Sequence, residues 1–127
     1  MPNHIHLLWH ICHPHELNNV QRDFMKYCSQ QIQKGLRTNN APLHKEFEIN
    51  LKDRKYQVWQ RNPLSVDLFS REVIEQKLDY IHNNPVQGKW MLSTDPTGYK
   101  YSSVRFYEED SQEFTFLSHY IEYFEGR

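Results

Sequence analysis

The chain opens with Met1-Pro2-Asn3-His4-Ile5-His6-Leu7-Leu8-Trp9, and these bulky residues without a glycine predict a β-strand over residues 3–11. Residues two apart on a strand point to the same face. His4 and His6 should therefore present two imidazoles side by side, with Ile5 turned into the core. Two such imidazoles are able to bind a divalent metal, although paired strand histidines often only form hydrogen bonds.

The second informative stretch is Gln76-Lys77-Leu78-Asp79-Tyr80-Ile81-His82-Asn83-Asn84-Pro85-Val86. We predict a helix that is capped at its start by Ser70 and ends at Asn83 or Asn84, because Pro85 disfavours helical geometry at the residue before it. Helical residues four apart share a face, so Tyr80 and Asn84 should project together. Read separately, a tyrosine at a helix end is usually a packing anchor, and an asparagine before a proline is usually a turn residue.

The remaining pattern predicts mixed α and β structure in one domain, since 127 residues is a one-domain length and no repeat is present. Apolar residues recur three or four apart from Leu17 to Leu36, which is typical of an amphipathic helix. The other expected elements are a connector over residues 37–50, a short strand over Tyr56 to Trp59, and short helices near residues 102–107 and 117–124.

The composition favours a packed protein of the cytoplasm. Hydrophobic residues make up 38% of the chain and aromatic residues 14%, which argues against wholesale disorder. No apolar run is long enough to cross a membrane, and no secretion leader precedes the first strand. The two cysteines, Cys12 and Cys28, are too few for a disulfide framework, which fits a reducing compartment.

The net charge of −1 does not indicate a nucleic-acid-binding protein, because such proteins usually carry bulk positive charge. Acidic residues after Tyr107 offset much of the positive charge of the lysines and arginines before it. A local basic patch is therefore compatible with a net charge of −1. The candidate DNA contacts are Lys52, Arg54, Lys55, Arg61 and Lys89, with Arg22 and Lys26 on the first helix. Four aromatic side chains are able to stack on unpaired bases or be buried in the core: Tyr56, Trp59, Trp90 and Tyr101.

Both stretches resemble the single-tyrosine HUH transposases, which include insertion-sequence transposases and REP-associated tyrosine transposases. The opening residues resemble the family's His-hydrophobic-His strand, and residues 76–86 resemble its catalytic helix. Two further short motifs are similar to those of the family: Trp59-Gln60-Arg61-Asn62 and Tyr99-Lys100-Tyr101-Ser102-Ser103. The resemblance extends from residue 1 to about Tyr107. It implies a single α+β domain over residues 1–127, with helices packed on a small antiparallel sheet in a ferredoxin-like arrangement. Family members carry a strand, a helix and a strand before the histidine strand, so the resemblance implies an N-terminally truncated domain.

The resemblance also implies a site and a reaction. Tyr80 would be the nucleophile, and His4, His6 and Asn84 would be the ligands of Mg²⁺ or Mn²⁺. In the family, the tyrosine attacks single-stranded or hairpin DNA and leaves a 5′-phosphotyrosine and a free 3′ hydroxyl, which allows religation without a nucleotide cofactor. Some members are homodimers with shared active sites, and others complete the site within one chain.

Three alternatives remain at the level of sequence. The chain could be a catalytically inactive or domesticated protein that still binds hairpin DNA. It could be an unrelated metal-dependent hydrolase with water as the nucleophile, in which case Tyr80→Phe would be nearly silent. It could also be a fragment without function.

Overall fold

The computed structural model describes residues 1–124 and is helical. The chain divides into two compact units: a first unit of Met1–His10 with Val66–Arg127, and a second unit of Ile11–Ser65. The α-helices are α1 (Leu17–Asn39), α2 (Ala41–Glu46), α3 (Arg71–Asn83) and α4 (Val104–Glu109). Short 3₁₀ helices cover Asn84–Val86, Pro96–Gly98 and Tyr120–Tyr123.

The predicted α+β fold is wrong, and so is its ferredoxin-like antiparallel sheet. Within residues 1–124, β-pairing is limited to one isolated antiparallel bridge between Glu48 and Tyr56. Residues 3–11 are extended but belong to no sheet. Side-chain alternation specifies an extended backbone, whereas a sheet also needs a neighbouring segment that pairs with it. The prediction of a single domain over residues 1–127 stays a prediction.

In the second unit, α1 confirms the predicted amphipathic helix and runs three residues further than expected, from Leu17 to Asn39. The predicted connector contains a helix instead, α2. Asn40 caps α2 by accepting a hydrogen bond from the Leu43 backbone N–H, and a proline occupies its first turn. An asparagine followed by a proline two residues later is a helix-start signal that sequence reasoning passed over.

The predicted strand over residues 56–59 is also absent, because only Tyr56 pairs with another segment. Two contacts hold this stretch in the second unit. The Tyr56 ring stacks on the buried ring of His44, with centroids 4.2 Å apart. The indole Nε1–H of Trp59 donates to the Met25 carbonyl oxygen over 3.0 Å, which anchors the stretch to α1 rather than to a strand.

In the first unit, α3 confirms the predicted helix over this stretch and its cap, since Ser70 accepts a hydrogen bond from the Val73 backbone N–H. Its buried face presents Ile74 and Leu78, which together with the fully buried Val104 of α4 form the apolar core. The two C-terminal expectations are realised as α4 and the last 3₁₀ helix. None of the helices among the described residues combines the length and apolarity that a membrane span requires.

His82 is a polar member of this core. Its ring is buried, its Nε2 lies 2.9 Å from the Ser103 hydroxyl oxygen, and its ring centroid lies 5.7 Å from that of Tyr107. Burial lowers the pKa of His82 below its ordinary value, and the carboxylates of Glu108 and Asp79 oppose that shift only in part. The folded chain therefore favours the neutral imidazole.

We expect acid to destabilise the first unit through this histidine. The unfolded chain binds a proton near the ordinary histidine pKa of about 6.5, while the folded chain resists protonation, so stability is full above that pH and falls below it. Urea midpoints measured at about pH 7.5 and about pH 5 bracket this range. His82→Gln should reduce the difference between the two midpoints, whereas His15→Gln, at an exposed position, should leave it unchanged.

Candidate active site

The extended segment at the start of the chain belongs to the first unit, and its His6 contacts Tyr80 of α3. His4, His6 and Leu8 are half-buried, whereas Ile5, Leu7 and Trp9 are 51%, 45% and 38% exposed. The predicted alternation is therefore present, but the expectation that Ile5 faces the core is wrong. The polar face is turned inward because the partner of His6 is itself amphipathic: the phenol ring of Tyr80 on α3.

Three rings meet at this point. The His4 and His6 centroids are 4.9 Å apart with an interplanar angle of 81°. The His6 and Tyr80 centroids are 5.6 Å apart with an angle of 79°. Tyr80 is 56% exposed, so much of the residue remains open to solvent beside the imidazole. The two stretches singled out from the sequence thus converge within one unit of one chain.

Hydrogen bonding sets the tautomer of His4. Its Nδ1 lies 2.7 Å from the Asn3 side-chain oxygen, which can only accept, so Nδ1 carries the proton. The lone pair is then on Nε2. An oxygen that fixes the other ring nitrogen in this way is the usual outer partner of a metal-binding histidine. Sequence reasoning missed Asn3, although a short amide beside a histidine is a recognisable signal.

His6 has an unsatisfied nitrogen. Its Nε2 is buried and has no hydrogen-bond partner among the described residues. Leaving such a group unpaired costs about 1–3 kcal/mol, so its presence calls for an explanation. The pKa of His6 is lowered, first by burial and then by the neighbouring His4 and the chain's amino group, which keeps the imidazole neutral. A neutral imidazole with a free nitrogen is the form that binds a metal ion.

Asn84 lies one helical turn after Tyr80. Its backbone N–H donates to the Tyr80 carbonyl oxygen, and its φ of −55° and ψ of −41° continue the helical path beyond the last residue of α3. The two side chains therefore share one face, about 6 Å apart along the helix axis. Nowhere in residues 1–124 do three His, Cys, Asp or Glu side chains form a group able to hold a metal. The resemblance implies Asn84 as a third ligand, and the structure places its backbone directly after α3.

The predicted DNA contacts are distributed over both units. Lys89 lies in the first, with its Nζ 5.0 Å from the Trp90 ring centroid. Lys52, Arg54, Lys55 and Arg61 lie in the second. Lys55 pairs with Glu48 at 3.5 Å, and Arg54 pairs with Asp53 at 3.2 Å. Exposed pairs of this kind contribute little to stability, so these cations remain able to exchange partners.

His82 and Trp59 both lie in positions that the sequence had partly predicted. His82 was expected on the far side of the helix from Tyr80, and it points into the core toward Ser103. Trp59 was expected in the core or in base stacking, and it is half-buried with its indole nitrogen bonded to α1.

Comparison with known proteins gives no match to a family model, a curated protein or a solved structure.

Proposed function

We propose that the chain is a metal-dependent, single-tyrosine DNA nicking and strand-transfer enzyme of the HUH transposase class, acting on single-stranded or hairpin DNA. The observation that supports this most is the 5.6 Å approach of the His6 and Tyr80 rings. His6 and Tyr80 are far apart in the sequence, and their contact is not needed for α3 to form. In the proposal, their convergence joins a nucleophile to a pair of imidazole ligands.

In the proposed reaction, the Tyr80 oxygen attacks a backbone phosphorus and loses its proton. A tyrosyl O–P bond forms, the bond from phosphorus to the 3′ oxygen breaks, and that oxygen takes up a proton to leave a 3′ hydroxyl. His4, His6 and Asn84 would hold Mg²⁺ or Mn²⁺, whose role is to neutralise the scissile phosphate and align it for attack. The phosphotyrosine conserves the energy of the broken bond, so the reverse attack by a 3′ hydroxyl rejoins DNA.

We further propose that the site is completed within one chain. His6 and Tyr80 contact each other in the first unit, so no second subunit is required to supply the tyrosine. The homodimer with shared active sites that the resemblance allows is the alternative, and mixing inactive variants distinguishes the two arrangements.

The test is incubation of the chain with Mn²⁺ and a 3′-labelled single-stranded hairpin, followed by denaturing electrophoresis. We expect a protein-linked DNA band that requires the metal and is absent in Tyr80→Phe, because the adduct is formed on the phenol oxygen. Tyr101→Phe is the matched control, since Tyr101 is also exposed and lies in the same unit.

Three results would contradict the proposal. Cleavage that persists in Tyr80→Phe would indicate a hydrolase that uses water. DNA binding without any adduct would indicate an inactive binding protein. An adduct that survives Tyr80→Phe but disappears in Tyr101→Phe would reassign the nucleophile.

A further inference from the structure

A basic groove lies in the second unit, between α1 and the stretch from Arg54 to Arg61. It is a half-open cavity of about 290 Å³, lined by Lys26, Arg54, Tyr56, Trp59 and Arg61 among others. No Asp or Glu of the described chain is among its lining residues. In a protein with a net charge of −1, three cations around one cavity without a carboxylate are a local concentration of positive charge.

The aromatic walls of the groove are fixed in place. Trp59 is held by its hydrogen bond to the Met25 carbonyl oxygen, and Tyr56 by its stacking on His44. The bridge between Glu48 and Tyr56 adds a backbone restraint. Rings that are already ordered lose little conformational entropy when a flat ligand stacks on them.

The cations of the groove retain unused donors. The Nε of Arg54 is buried and has no hydrogen-bond partner within residues 1–124, although one terminal nitrogen of the same guanidinium pairs with Asp53. Arg61 is exposed and forms no ion pair with a carboxylate of the described residues. Guanidinium groups of this kind are suited to phosphate, which accepts two parallel hydrogen bonds.

We propose that this groove binds one nucleotide of an unpaired DNA strand, with the phosphate on the cations and the base against the aromatic wall. The choice of DNA rests on the proposed function. The cavity lies at the lower end of the range of about 300–1,000 Å³ for small-molecule pockets, which suits a single nucleotide. A duplex is excluded as the ligand because its base faces are already stacked, whereas an unpaired base has a free face.

The first test measures the salt dependence of binding. A fluorescently labelled oligo(dT) is titrated with full-length Tyr80→Phe protein, which removes cleavage as a complication, and anisotropy is followed at several salt concentrations. For single strands, log K decreases linearly with log salt. The magnitude of this negative slope decreases by about 0.7 for each phosphate that the protein no longer neutralises. Because the groove is proposed to hold one phosphate, Arg54→Gln with Arg61→Gln should flatten the slope by about 0.7.

The matched control removes two charges elsewhere in the second unit. Lys34→Gln with Lys45→Gln alters exposed residues outside the groove and should leave the slope unchanged. Equal effects of the two double variants would overturn the proposal, because they would indicate an effect of net charge alone. Equally strong competition by a DNA duplex, or tighter binding of oligo(rU), would overturn it as well.

The second test does not depend on the folding of any groove variant. Photocrosslinking of bromodeoxyuridine DNA to the otherwise unaltered chain, followed by mass spectrometry, should place the crosslink on Tyr56 or Trp59. Crosslinks that map only to other residues would overturn the proposal. Because this readout is independent of the adduct at Tyr80, a crosslink in the groove without any adduct would reject the proposed function and retain the groove.

Discussion

Replacing His6 by alanine is expected to reduce formation of the Mn²⁺-dependent DNA adduct by about 100-fold or more. A divalent metal at this site would contribute several kcal/mol of charge stabilisation, and about 1.4 kcal/mol corresponds to a factor of ten. Removing one of only two nitrogen ligands should forfeit most of that contribution. His4→Ala should behave similarly, while His15→Ala, an exposed histidine of the second unit, should retain full activity.

Metal affinity gives a second measurement of the same prediction. Isothermal titration with Mn²⁺ should show weaker binding in His6→Ala and in Asn84→Ala, with circular dichroism reporting whether each variant is folded. Unchanged metal affinity in all of the ligand variants would contradict the assignment of this site. Weak adduct formation with normal metal affinity would place His6 in another role.

Mixing experiments address whether the site lies within one chain. A mixture of His6→Ala and Tyr80→Phe should stay inactive if both groups must come from the same chain, as their ring contact in the first unit favours. Recovery of adduct on mixing would instead identify a dimer in which one chain supplies the histidines and the other the tyrosine.

The helices were largely predictable because local signals define them. Ser70 caps α3 as expected, and α3 ends at Asn83, although Asn84 before Pro85 keeps helical dihedral angles and begins a 3₁₀ turn. The sheet was not predictable in the same way. The opening residues specify an extended backbone, but pairing depends on a partner segment whose identity no local pattern contains. The antiparallel sheet was expected from the resemblance alone, and residues 1–124 do not form it.

The sequence predicted that His4 and His6 lie side by side, but it did not predict which face of the segment they occupy. Spacing of two along an extended backbone brought His4 and His6 together, as expected. The pattern could not show which face would be inward, because both faces carry side chains that are able to pack. The structure leaves the imidazoles half-buried and exposes Ile5 at 51%. Burial of His6 depends on the position of Tyr80, which is a tertiary contact between distant parts of the chain.

Replacing Leu78 by alanine should have the largest effect on stability. Leu78 is, with Ile74 and Val104, one of the buried aliphatic side chains of residues 1–124, and it lies on the face of α3 opposite the solvent-exposed Glu72 and Gln76. Truncating a buried leucine costs about 2–5 kcal/mol. Since small domains have a total stability of about 5–15 kcal/mol, this loss would remove a large share of it. The urea midpoint should fall without a change in slope.

Val73→Ala is the matched control on the same helix. Val73 is 36% exposed, and substitutions at such positions usually change stability by no more than about 0.5 kcal/mol. The comparison also separates stability from chemistry, because α3 carries Tyr80. At a low temperature where Leu78→Ala is still folded, its adduct formation should match the unaltered chain, since no group that contacts the DNA has changed. Equal midpoints for the two variants would mean that Leu78 is not part of a cooperative core, and that α3 is held by its polar contacts alone.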